Sequence, residues 1–174
     1  MKHIQNEWVG NLIQVFKEEI TIYKDLLATE GKKKEAIHKT DGKFLEALTK
    51  ETYNLMVGAT ELERIRMKAI EEVYEKEKLQ KSADLPILSE FLNQIDRGSN
   101  FRLKGLANEL KDTVHELKAK ITINEKLLKS RQEIFALSID ALKKASETKV
   151  PAAYTPAKAK ITKHTVPVML NTRV

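Results

Sequence analysis

The spacing of apolar positions divides the chain into three long helical stretches and one short one. Val9, Ile13, Phe16, Ile20, Tyr23 and Leu27 alternate steps of four and three, which puts them on one stripe of a helix; Trp8, Leu12 and Leu26 widen it. "HKTDGKF" then punctuates the pattern: Gly42 can break it, while Thr40 or Asp41 can accept from the free N–H groups of the next helix. Gly31 and the three lysines after it offer a second break, but the periodicity favours a first helix continuing to about Lys39. The second helix repeats the spacing through Leu48, Thr52, Leu55, Ala59, Leu62, Arg66, Ala69 and Val73, backed by Leu45, Met56, Ile65 and Ile70. Pro86 and Gly98 bracket a short amphipathic segment in which Leu88, Phe91, Leu92 and Ile95 share a face, with Ser82 or Asp84 as its cap.

A third long helix is predicted from just after Ser99 or Asn100 to about Glu147, roughly 70 Å at 1.5 Å per residue. Its seam begins conventionally with Leu103, Ala107, Leu110, Val114, Leu117 and Ile121. It continues as Asn124, Leu128, Arg131, Phe135, Ser138, Leu142 and Ala145, so polar residues enter where apolar ones are expected. In the same half the apolar stripe broadens to take in Leu127, Ile134 and Leu137. Two explanations stay open. Asn124 and Arg131 specify register or face water at the end of the bundle, or this half overhangs the first two helices as a groove for a helix of another chain.

Periodicity fails after Glu147, and three of the four prolines, Pro151, Pro156 and Pro167, follow. The expected architecture is therefore all-α: an elongated bundle of three long antiparallel helices with a short extra helix over residues 1–147, then a flexible, basic, proline-containing tail over residues 148–174. The charge follows the same division. Of the formal net charge of +6, residues 148–174 supply +5 through Lys149, Lys158, Lys160, Lys163 and Arg173 with no acid, which leaves the body nearly neutral.

Composition narrows the function classes. A hydrophobic share of 41% beside 32% charged residues fits a soluble, helix-rich chain. No run approaches the about 20 apolar residues that span a bilayer, so membrane insertion is not expected. Absence of cysteine removes disulfides and thiolate chemistry. There is no Gly-rich phosphate loop and no sequence motif for a nucleophile and its base, so the chain reads as a non-enzyme without cofactor. "EAIH" sets Glu35 one turn before His38, and "DTVH" sets Asp112 before His115, the spacing of a bundle metal site. But His115 lies beside the seam and His38 near a turn, so exposed histidines and no metal are expected. The basic tail lacks interleaved aromatics, which argues against specific nucleic-acid recognition and leaves only a nonspecific electrostatic mode.

On these residues the chain resembles the FlgN-type flagellar export chaperones, across nearly all of residues 8–147. "INEKLLKSRQEIFALSIDALKKA" is similar to the family's last-helix pattern of an Asn followed three residues on by two aliphatics, matched by Asn124, Leu127 and Leu128. "AIHKTDGKFLEALTKE" looks like the family's helix-turn-helix link, matched by Asp41, Gly42, Leu45 and Leu48. The resemblance implies a cytoplasmic chaperone, monomer or homodimer, that holds the C-terminal helical segments of flagellar hook-associated proteins and delivers them to the type III export gate. It implies a client surface of Asn124, Leu127, Leu128, Arg131, Ile134, Phe135 and Leu142, and docking on the cytoplasmic domain of the export gate through the tail tyrosine, Tyr154. The competing expectations are a coiled-coil scaffold or adaptor, or a helical protein whose basic tail binds nucleic acid nonspecifically.

Overall fold

The computed structural model describes residues 7–82 and 87–147. Within them the chain forms α1 (Glu7–Lys39), α2 (Gly42–Lys76), α3 (Leu88–Gln94) and α4 (Arg97–Glu147), and no strand. The expected tail, with Tyr154, lies outside the described residues, as does Asp84.

The three long helices run up, down and up. Opposed numbering at the contacts between α1 and α2, Glu19 with Arg66 and Thr29 with Glu51, makes that pair antiparallel. Rising numbering between α1 and α4, Lys24 with Glu109 and Glu30 with Asn124, makes those two parallel. Helix α1 is the central one, with α2 and α4 both packed along it. At Gly58 the first two helices come especially close: a Cβ there would sit 2.7 Å from Ile22 Cδ1.

One core runs through the bundle, built from Leu12, Phe16, Tyr23 and Leu26 of α1, Ala59, Ile70 and Val73 of α2, and Leu103, Leu110, Val114 and Leu117 of α4. Its base is closed by α3. Leu88, Phe91 and Leu92 are buried there, and Phe91 stacks edge-on to Trp8 (6.1 Å between centroids) and tilted against Tyr74 (5.7 Å). Seven residues are too few to hold a helix alone, so α3 owes its form to this burial.

Local chemistry sets the helix ends, and in three places differently from expectation. Asp41 caps α2, its Oδ1 accepting from Phe44 N at 3.0 Å, but Gly42 is simply the first residue of that helix. Thr40 makes the reversal, with a φ of 56° in the left-handed region. Ser82 does not cap α3; its hydroxyl donates to Glu90 Oε2 at 2.6 Å, which ties the incoming loop to the helix flank. Helix α4 starts at Arg97, ahead of the expected Ser99 or Asn100, because Asp96 Oδ1 accepts from both Gly98 N and Ser99 N at 3.0 Å. These bonds hold the Asp96 carboxyl below its usual pKa, with the contact to Ser99 the largest cause.

A β-branched residue in the left-handed region is strained by roughly 1 kcal/mol. Thr40→Asn, which tolerates that conformation, is expected to stabilise the chain by about 0.5–1 kcal/mol in urea unfolding. A destabilised variant would mean that the Thr40 side chain contributes something its backbone does not reveal.

Candidate functional site

Asn124 sits inside the bundle. It is 6% exposed, and its Nδ2 donates both to the Glu30 carbonyl oxygen (2.8 Å) and to Glu30 Oε2 (2.7 Å), while Lys33 Nζ holds Glu30 Oε1 at 2.7 Å. A buried amide with two bonds to one residue of α1 fixes how far α4 can slide along it. Asn124 is thus the last buried residue of α4.

Beyond it the support stops. With Asn124 level with Glu30, Lys39 at the end of α1 comes level with about residue 133, so about 14 residues of α4, roughly 20 Å, project past the α1–α2 turn. This projection is not polar. Ile134 is 55% exposed, Phe135 68%, Leu137 69% and Leu142 66%, and just below them Leu128 is 37% exposed. Leu127 is half-buried and Arg131 exposed. Ile134, Phe135 and Leu142 therefore lie on one bare stretch of helix, with Leu127, Leu128 and Arg131 at its foot. Single exposed apolar residues mean little, whereas contiguous apolar patches are where proteins meet other proteins, membranes or ligands.

A second polar constellation, in the middle of the bundle, was not legible as a site from the sequence. Arg66 and Glu19 are 1% and 0% exposed, with Nε 2.8 Å from Oε2 but the N–H aimed off the line between them, so the contact is an ion pair more than a hydrogen bond. Glu63 Oε1 stands 3.8 Å from Arg66 Nη2, and Tyr23 packs close enough to feel both acids. Burial pushes the Glu19 carboxyl up to about 7, although the Arg66 guanidinium pulls it down. Burial likewise raises the Tyr23 hydroxyl, with the Glu19 charge adding to it. The signal available in the sequence was Arg66 at a seam position of α2, which requires a counter-charge from another helix.

His38 and His115 are exposed, and among the described residues no group of three or more His, Asp or Glu side chains is placed to hold a metal ion. Among those residues no helix is long and apolar enough to cross a membrane.

The described residues thus make a helical hairpin, a short closing helix and a long last helix bare at its tip. A family model described as FlgN protein matches residues 1–160. The chain belongs to the FlgN family. Membership makes it a flagellar chaperone, and the match spans α1 to α4. No curated protein and no solved structure matches it. Besides the bare end of α4, the described residues leave single large apolar side chains uncovered elsewhere, among them Tyr53 and Val57 of α2 and Phe101 near the start of α4.

Proposed function

We propose that this FlgN protein is a cytoplasmic export chaperone that holds the C-terminal helical segments of flagellar hook-associated proteins on the projecting end of α4 and delivers them to the cytoplasmic domain of the type III export gate. The observation that carries this reading is the run of Ile134, Phe135 and Leu142, exposed on the stretch of α4 that rises past the end of α1, with Leu128 at its foot. An amphipathic segment of a client cannot bury its apolar face alone; laid on this helix it can. Leu127 contributes at the foot of the surface, and Arg131 supplies a charge that can orient the client. Asn124 acts from inside, by fixing α4 against α1 so that the surface keeps a constant height above the turn.

The test is co-purification of the full chain with the C-terminal region of a hook-associated protein from the same genome. A stable complex of defined stoichiometry supports the proposal. Strong self-association with no uptake of that region would instead favour a scaffold.

Tyr154, by the family resemblance, docks on the gate. Tyr154→Ala is accordingly expected to leave client binding unchanged in vitro and to lower secretion of hook-associated proteins several-fold in cells. Equal secretion by variant and wild type would remove the tyrosine from the delivery step.

A further inference from the structure

We propose that the end of α4 is enclosed by two helical segments of its client, one on each of two apolar seams that run side by side. The inference rests on the projecting end being the client site, and adds how many segments it takes and where they lie. The first seam, Leu128, Phe135 and Leu142 with Arg131 and Ser138 between them, continues the stripe through which Leu110, Val114 and Leu117 face the core. Below the turn the bundle covers that stripe; above it, nothing in the described residues does.

The second seam is offset from the first by one residue. Ile123, Leu127, Ser130, Ile134, Leu137 and Ala141 also alternate steps of four and three. Toward the base, the same stripe reads Lys120 and Glu116, an ion pair at 3.3 Å, so the second seam begins at Ile123, beside the buried Asn124. Ile123 is already 49% exposed there. The bundle half-covers this face at Leu127 and leaves it bare from Ser130 on, yet it is as apolar as the first.

Each seam of this period seats one partner helix by knobs-into-holes packing. Leu137 and Leu142 are five positions apart, about 140° around the axis at 3.6 residues per turn. A single client helix, about 10 Å across, covers one seam and leaves the other in water. Lys129, Glu133, Asp140 and Lys143 occupy the remaining arc, which gives the enclosed helix a charged strip toward solvent. Two amphipathic segments of one client, packed on adjacent seams, would form with α4 a three-helix arrangement stacked on the end of the bundle.

The experiment places the photoreactive residue in two versions of the full chain, Leu137→p-benzoylphenylalanine and Leu142→p-benzoylphenylalanine. Each is irradiated with the C-terminal region of a hook-associated protein, and the adducts are mapped by mass spectrometry. The expected result is efficient crosslinking from both positions to two different segments of the probe. Crosslinks from both to the same segment, or from Leu142 alone, would overturn the two-segment arrangement and leave the client site intact. Adducts from Leu137 to a second copy of this chain would overturn it in favour of self-association. Failure at both positions would remove the client site and this inference together. As an independent readout, Leu137→Glu is expected to weaken probe binding about 10-fold or more, with helicity unchanged and the Leu142 crosslink retained; unaltered affinity would count against the second seam.

Discussion

Phe135→Glu should abolish client binding while leaving the free chain as stable as before. The side chain is 68% exposed on a stretch of α4 beyond the level of Lys39, so a carboxylate there stays hydrated in the free protein, and substitutions at such positions usually fall within about 0.5 kcal/mol. In a complex the same position would be covered by an apolar helix face, and the charge would have to lose its water without a partner. A loss of at least 100-fold in affinity, equivalent to about 2.7 kcal/mol, is expected from titration calorimetry against a hook-associated C-terminal region. Leu117→Glu serves as the contrast, since Leu117 is 0% exposed and its replacement should cost several kcal/mol and unfold much of the chain. Should Phe135→Glu melt early in circular dichroism without any client, the residue belongs to a core and the client surface lies elsewhere.

The second large effect belongs to the buried pair, and it is asymmetric. Arginine cannot shed its charge, whereas a carboxyl can take up a proton. Glu19→Leu leaves the Arg66 guanidinium buried with only Glu63 at 3.8 Å and is expected to cost about 3–5 kcal/mol. Arg66→Met should cost less, because Glu19 can turn neutral, and the double variant should regain most of the loss with apolar packing. The pair also makes stability depend on pH. The Glu19 carboxyl is raised from 4.5 to about 7 by burial, so between those values the folded chain holds a proton that the unfolded chain has lost. The contribution of this group is thus fully present below about pH 4.5 and declines as pH rises through 7, by on the order of 3 kcal/mol. Urea titrations of Glu19→Gln, which keeps an acceptor oxygen but cannot ionise, should lack this decline. Parallel curves for variant and wild type would place the titration elsewhere.

The helices and their order could be read from the chain because apolar spacing is set by which face meets the core, and that constraint is local. Which stripe of α1 lies deepest could not. Val9, Ile13, Phe16, Ile20, Tyr23 and Leu27 look like the seam, yet Ile13 and Leu27 are only half-buried, and the deepest line runs Leu12, Phe16, Glu19, Tyr23, Leu26 and Glu30. A choice made on hydrophobicity passes over Glu19 and Glu30, whose burial depends on Arg66 in another helix and on Asn124 and Lys33. The same limit applied to Asn124. Its seam position was visible, but only Glu30 beneath it separates a register-setting residue from one facing a client. By contrast, the bare end of α4 was legible in outline, because the spread of apolar residues onto Leu127, Ile134 and Leu137 needs no distant partner to be noticed.

The parallel course of α1 and α4 has a thermodynamic consequence for the projecting end. A peptide of about 14 residues is a marginal helix in water, since the first turn must be ordered for the return of a single hydrogen bond. Here that nucleus is supplied by the bundle: α4 emerges from it already wound, with Asn124 pinned to α1, and each further residue only propagates the helix. A client that coils on contact therefore meets a template with a fixed axis, and the entropy of ordering falls on one of the two partners instead of both. The reserve of rigidity lies in the bundle, while the bare apolar surface lies outside it.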